Sequence, residues 1–478
     1  MNSPRMSDLI RRAAYLVVFL ALLIGFGKSL HAFYRIFITP DPADFARPWF
    51  WIQVAWSVPL TLLAASSLLF RKPSRANTAI LLFSLLVAMY PFEIALWALN
   101  MDTSFSREGR QMHFEHLRKQ GITVDMRTPL NVIFDLRRAG VQAVPTFSPS
   151  VQTVPSGPLF PLSAISRKLT VLCNHSGSYA TYISDEHGFN NPTGLWRHRL
   201  PFDIAIFGDS FAQGFCVDQD KDFSSYVRHK FPATANLGMS GTGPLAQLAT
   251  MREYLPFLKP RLVLWLYYEG NDLDDLDREL RDPMLQNYLM PGFTQGLIRR
   301  QGEIDLVYLE QIERKLKDFR STPPPTPPQT DSEITKTMRL FRTRGLIFSA
   351  LRARVFSRDP VHDKSLLDSY GQVVLAADRQ VDALGGKLVL VYLPDWVRIK
   401  GRLADLGYQQ KEDVLAIAKR AGIPVVDIGE IFRTHPDAAH GFLVYAGSHY
   451  SEEGYRLAAD YVLSRLPEFT QSGSRLSR

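Results

Sequence analysis

Ile204-Ala205-Ile206-Phe207-Gly208-Asp209-Ser210 is the stretch on which the reading of this 478-residue chain turns. An apolar run ends in Gly-Asp-Ser, and Phe211-Ala212-Gln213-Gly214 comes next. A buried strand that stops at a tight turn, with a hydroxyl on the first residue beyond it, is how an α/β enzyme presents a serine nucleophile. Ligands bind at the carboxyl ends of strands in open α/β sheets. Any strand can end in Gly and two polar residues, so the stretch draws its weight from three later blocks of sequence and their order.

Those blocks are Ala235-Asn236-Leu237-Gly238-Met239-Ser240-Gly241-Thr242-Gly243, then Leu262 to Asp272 ending in Glu269-Gly270-Asn271-Asp272, and last Ser448-His449-Tyr450-Ser451-Glu452-Glu453-Gly454-Tyr455. Together the four blocks resemble the SGNH (GDSL) hydrolase family, over roughly Pro201 to Leu466 with a long insertion. The resemblance places the nucleophile on Ser210 and the general base on His449. It places the oxyanion donors on the backbone of Ser210, on Gly241 (Gly238 in the other register) and on the Asn271 amide. Asp209 and Asp272 are supporting residues. The implied fold is a three-layer α/β/α, flavodoxin-like parallel sheet.

In the family an Asp stands three residues before the His, and here that position is Ala446. The carboxylate that would hold the imidazole in the right tautomer is missing from its usual place. Another carboxylate supplies it (Asp427 first, which ends an apolar strand but reads more readily as a helix cap ahead of Gly429 and Ile431, then Glu430 or Asp437), or a backbone carbonyl does, or the site runs as a Ser-His dyad, or activity is lost.

The residues reach the same fold without the family. Strand-like Asp203–Phe207, Ala235–Leu237, Arg261–Tyr268, Lys387–Tyr392 and Pro424–Ile428 alternate with helical Phe223–His229, Pro244–Phe257, Gln409–Ala421 and Ser451–Leu463. Apolar, β-branched strands alternating with helices argue for a parallel sheet covered on both faces. Between Arg278 and Ser369 the alternation stops. A charged helix over Glu303–Phe319 leads to a polyproline spacer at 321–329 and a basic helical stretch over Thr335–Val355. So long an insertion exceeds an ordinary connection and reads as a surface excursion or as a cap over the site.

Ahead of the core, residues 101–200 read as a helical and extended linker with a small β region. Helical residues end near Gly140, Pro145–Pro161 is an extended linker, and Leu169–Cys173 and Tyr179–Ile183 are strands. The segment Asp185-Glu186-His187-Gly188-Phe189-Asn190-Asn191 resembles one that precedes the catalytic core in bacterial membrane-anchored members of the family, which joins it to the domain at 201–470. His187 in it reads as structural.

Residues 1–100 are a membrane region. Ala13–Phe37, Phe50–Phe70 and Thr78–Leu99 are three apolar stretches, each with the ~20 residues that cross a bilayer. Arg5, Arg11 and Arg12 precede the first, and Arg71, Lys72 and Arg75 lie between the second and third. Basic loops stay cytoplasmic, so the N-terminus is inside and the C-terminal domain periplasmic, on a bacterial inner membrane. The formal net charge is +8, and the first hundred residues carry nine Lys and Arg against four Asp and Glu. The basic excess therefore belongs mostly to membrane flanks, and no nucleic-acid partner is read from it.

Of the two cysteines, Cys173 ends an apolar run and reads as a buried free thiol; a single bridge to Cys216 is the alternative in an oxidising compartment. No Cys/His spacing suggests a metal, and no cofactor is expected. Asp272, Asp274, Asp275 and Asp277 read as a solvated helix start, where acids suit the dipole.

The expected activity is removal or transfer of an acyl group, acetyl foremost, on a cell-surface or exported glycan, a preference the resemblance implies. The expected partners are an acylated carbohydrate, the bilayer through residues 13–99, and polysaccharide export or modification proteins. The alternative is a degenerate domain that binds a glycan within an export assembly.

Overall fold

The chain was analysed as a computed structural model describing residues 90, 93–95, 107–197, 201–321, 337, 343, 360–400, 410–443 and 449–470. It divides into two compact units, Met1–Thr103 with Asp331–Leu351, and Ser104–Thr330 with Arg352–Arg478. Within that first unit, buried Glu93 accepts the Thr343 N–H at 2.7 Å. The three apolar stretches lie outside the described residues apart from positions 90 and 93–95. Among the described residues no helix is long and apolar enough to cross a membrane.

The second unit is built on five strands: β6 (Ile204–Phe207), β7 (Thr234–Asn236), β8 (Leu262–Tyr268), β9 (Lys387–Leu393) and β10 (Val425–Asp427). All pairings are parallel, in the order β10-β9-β8-β6-β7. Counted along the chain that is 2-1-3-4-5, the flavodoxin-like order. Side chains alternate between faces along a strand, and both faces are buried. Ala205, Phe207, Val263, Trp265 and Tyr267 enter one core. Ile204, Ile206, Leu262, Leu264 and Leu266 enter the other. Burial on both sides is why these strands read as unbroken apolar runs.

Helices Pro244–Leu258, Pro360–Asp382 and Lys411–Arg420 place Leu248, Tyr370, Val373 and Val414 in the first core. Helices Phe223–Lys230, Gly429–Thr434 and Glu452–Thr470 place Val227, Phe432, Ala458 and Val462 in the second. The expected three layers are present, with most boundaries within a few residues of those read from the sequence.

Ahead of the core the two strands read from the sequence are present, while the stretch read as extended linker is folded. β1 (Ala143–Pro145), β4 (Leu169–Asn174) and β5 (Tyr179–Ile183) form a sheet in which β4 pairs parallel with β1 and antiparallel with β5. The Pro/Ser-rich stretch holds a hairpin, β2 (Gln152–Val154) with β3 (Gly157–Leu159), turned at Pro155 and Ser156. Phe147, Leu159, Phe160 and Leu162 are buried in the core shared with the main sheet. Sparse but large apolar side chains anchor this stretch, whose Pro and Ser content alone suggested a spacer.

Candidate active site

In 2-1-3-4-5 order the chain reverses direction across the sheet between β6 and β8, and the crevice outside that switch point is where such sheets bind ligands. Ser210 follows β6 and Asn271 follows β8. The Gly241 turn follows β7 on the other side of β6, and His449 comes after β10. Close packing at the turn requires glycine at position 208, where a Cβ would lie 2.9 Å from the Leu266 carbonyl oxygen of the neighbouring strand.

Asp209, fully buried, caps the short helix Ser210–Gln213 by accepting the Phe211 N–H at 2.9 Å. Gly214 ends that helix in the left-handed conformation. Ser210 Oγ lies 2.8 Å from His449 Nε2, across 239 residues of sequence. That is hydrogen-bond distance between a nucleophile and its base. His449 stands on the two-residue strand β12 (His449–Tyr450), paired with β11 (Phe442–Leu443).

The two glycine registers separate by their donors. The Gly238 N–H donates to Asn236 Oδ1 at 2.9 Å, and a Cβ there would lie 2.4 Å from the Gln213 nitrogen. Gly238 is therefore a packing glycine behind the nucleophile helix. Gly241, at φ 78°, is exposed, and its N–H makes no hydrogen bond among the described residues. The Ser210 N–H is likewise open among them. Asn271 precedes helix Asp272–Glu279, donates from Nδ2 to Asp275 Oδ2 at 3.0 Å, and keeps a buried, unpartnered Oδ1.

Two buried carboxylates stand behind these groups. Asp272 Oδ2 accepts the Tyr268 N–H at 2.9 Å, while its Oδ1 is buried without a partner. Burial, then the charge of Asp209, hold the Asp272 carboxyl well above the usual carboxylate range. Burial raises Asp209 as well, offset in part by hydrogen bonds from Phe211, Asn271 and Ser210. Both carboxyls thus lie inside the protein, against the Ser210 and Asn271 turns. The acidic cluster is less solvated than expected. Asp272 and Asp275 are buried, and Asp275 and Asp277 pair with Arg278 and Arg281.

Each carboxylate named to orient His449 is engaged elsewhere. Asp427 holds Lys411 Nζ at 2.6 Å through Oδ2 and caps the Gly429 N–H at 2.9 Å through Oδ1. Its position at a strand end serves helix capping and an ion pair, and Asp427 is dropped as orienter. Glu430 accepts the Tyr461 hydroxyl, and Asp437 lies 2.9 Å from His440 Nδ1. Ala446 lies outside the described residues.

Residues the sequence reading passed over tie the site together. Gln213, buried on the nucleophile helix, donates to the Tyr182 hydroxyl at 3.0 Å and accepts the Ser240 N–H at 3.2 Å and the Ser240 hydroxyl. It joins the nucleophile helix to the residue before Gly241. Asn190 Nδ2 donates to the Gln213 carbonyl at 2.9 Å. Asn191 exchanges hydrogen bonds with the Asn236 backbone, both 2.8 Å. Buried Asp185, pushed by burial up to about 6, accepts from the backbone of His187 and Phe189 and from Asn191 and Trp196. The segment Asp185–Asn191 was legible as part of the domain; its partners were not, because side-chain amide pairings leave no periodicity. His187 packs edge-on to Trp196 at 4.4 Å, a structural role.

Cys173 and Cys216 are joined in a disulfide, Cα atoms 5.0 Å apart, where a free buried thiol was the leading expectation. The apolar run ending in Cys173 marks strand β4, and the tertiary fold brings the nucleophile loop against its end.

No family model matches the chain, and no curated protein matches it. Similar solved structures include a member of the lipolytic protein G-D-S-L family from Veillonella parvula, 13% identical over 55% of this chain and 97% of that one, TM-score 0.29. Others are the lipase/acylhydrolase from Enterococcus faecalis, 14% identical over 57% and 100%, TM-score 0.28, and an acetylxylan esterase from Geobacillus stearothermophilus, 14% identical over 56% and 96%, TM-score 0.30. Likeness at that level carries no argument about what this chain does. On its own four ordered blocks, and on the geometry that joins Ser210 to His449, the chain resembles the SGNH (GDSL) hydrolases.

Proposed function

We propose that the α/β unit is an SGNH-type serine esterase or O-acyltransferase, anchored through residues 13–99 and acting on acyl groups, acetyl foremost, of a cell-surface or exported glycan. The observation that carries the reading is the 2.8 Å contact between Ser210 Oγ and His449 Nε2 at the switch point of the sheet. Ser210 Oγ attacks the ester carbonyl as His449 takes its proton. The oxyanion is met by the N–H groups of Ser210 and Gly241 and by the Asn271 amide; one such donor lowers the barrier by ~3–4 kcal/mol. The protonated His449 returns its proton to the leaving oxygen, which departs and leaves an acyl-serine. Water or a sugar hydroxyl then takes the acyl group, losing its proton to His449, and Ser210 is regenerated.

A disulfide in this unit supports an oxidising compartment, in keeping with a periplasmic domain and partners among polysaccharide export or modification proteins. Ala446 favours a second reading, a domain that binds a glycan without turning it over.

The test is covalent. A fluorophosphonate probe is expected to label the full-length protein in detergent, and Ser210→Ala to abolish labelling with folding intact. Undiminished labelling of the variant removes Ser210 as nucleophile. A folded wild type that neither reacts nor cleaves acetyl esters gives way to the binding reading. A C-terminal alkaline phosphatase fusion tests the topology; an inactive fusion refutes it.

A further inference from the structure

His449 lies against two aromatic rings. Phe211 stacks on the imidazole at 4.7 Å between centroids and 18° between planes, and Phe215 approaches it at 4.9 Å and 46°. Phe211 is held within the nucleophile helix and by Tyr268 and Tyr450, at 4.0 and 5.0 Å. Phe215 has a different kind of support. It lies between Gly214, at φ 81°, and Cys216, at φ 69°. A residue with a Cβ persists in that left-handed conformation only where its surroundings over-determine it. Here they do. Cys216 is bonded to Cys173 on β4. Past it, Asp218 Oδ1 accepts the Thr181 N–H at 3.0 Å, and the Gln219 N–H donates to the Thr181 carbonyl at 3.1 Å. Phe215 also packs on Leu172, Ala180 and Tyr182 of β4 and β5. It therefore touches the β4–β5 sheet and the candidate base at once.

We infer that the Cys173–Cys216 bridge and Phe215 form a clamp that sets the imidazole of His449 against Ser210, Phe215 acting as a positioning residue for acyl transfer. The inference rests on the catalytic reading above. An imidazole free to swing loses its alignment with Oγ, and misplacement by about 1 Å costs on the order of 10²-fold in rate. Among the described contacts the bridge reaches the base through Phe215, so losing the bridge should cost no more than losing the ring, and losing both no more than losing the ring alone.

The experiment uses the full-length protein in detergent, with p-nitrophenyl acetate turnover and fluorophosphonate labelling rate as readouts. Phe215→Ala is expected to lower kcat and labelling rate about 10²-fold, with KM little changed and the protein still folded at the assay temperature. Phe215→Tyr is expected to restore most of the rate, because it returns a ring of the same size. Dithiothreitol, a dithiol that reduces the bridge to two thiols and is itself oxidised to a disulfide, should slow wild type by no more than Phe215→Ala does and leave Phe215→Ala unaffected. Losses that multiply when reduction and Phe215→Ala are combined overturn the clamp, as does a Phe215→Ala enzyme that labels at the wild-type rate. If reduction unfolds the protein, the oxidised Phe215 variants decide alone. Wild type that never labels overturns the catalytic reading and the clamp with it, whereas wild type and variants that label equally fast overturn the clamp only.

Discussion

Replacing Gln213 with Leu tests whether the buried amide network positions the oxyanion donors or merely stabilises the fold. Leu fills nearly the same volume, so packing is kept while three hydrogen bonds are lost: to the Tyr182 hydroxyl, the Ser240 hydroxyl and the Ser240 N–H. The Tyr182 hydroxyl has Thr170 beside it, and its loss and that of the Ser240 hydroxyl bond should each cost about 1 kcal/mol. The Ser240 N–H is stranded in a buried position, at about 1–3 kcal/mol. The expected total is about 3–5 kcal/mol, read from urea unfolding. The functional effect should be separate and larger than stability explains. Gly241 follows Ser240 directly, and a shift of its N–H removes an oxyanion donor worth about 10²–10³-fold in kcat. Gln213→Glu is the control. All three partners can donate to a carboxylate, so it should recover turnover better than stability. A Gln213→Leu protein that is destabilised as expected but turns over ester at the wild-type rate refutes the positioning argument.

Asp185, Asp209 and Asp272 all have carboxyls raised by burial, Asp185 up to about 6. The folded protein then holds protons that the unfolded chain releases. Their stabilising contribution is complete below the unfolded value of about 4 and is lost as pH rises through the folded values. The urea midpoint should be higher at pH 5 than at pH 7.5, and Asp272→Asn should flatten the difference; a midpoint that rises with pH contradicts it. Asp427→Asn removes the partner of a largely buried Lys411 and should cost about 1–2 kcal/mol in stability while leaving kcat within about 3-fold; a fall near the 10⁴-fold cost of a lost orienter would return Asp427 to the catalytic apparatus. Ala446→Asp places a carboxylate three residues before His449 and should raise ester turnover; unchanged turnover with intact labelling would show that the imidazole is already oriented by other means.

The α/β unit is legible in the order and composition of the residues alone. Strands buried on both faces must be nearly all apolar, so Ile204–Phe207 and Leu262–Tyr268 announce themselves without a structure, and the four ordered blocks mark which strand ends carry polar groups. Ser210, Asn271 and His449 became candidates through the family resemblance those blocks carry, because residue types and their order are local properties. Pairing, by contrast, emerges once the elements are packed together. Gly241 separates from Gly238 because the Gly238 N–H is already bonded to Asn236. Asp427 leaves the site because Lys411 and Gly429 engage both of its oxygens. Cys173 meets Cys216, and Phe215 reaches His449, because β4 and β5 dock beside the nucleophile loop. Periodicity records which way a side chain faces along its own element. It holds no record of which distant group waits there, and for a buried amide, carboxylate or thiol that partner decides the chemistry.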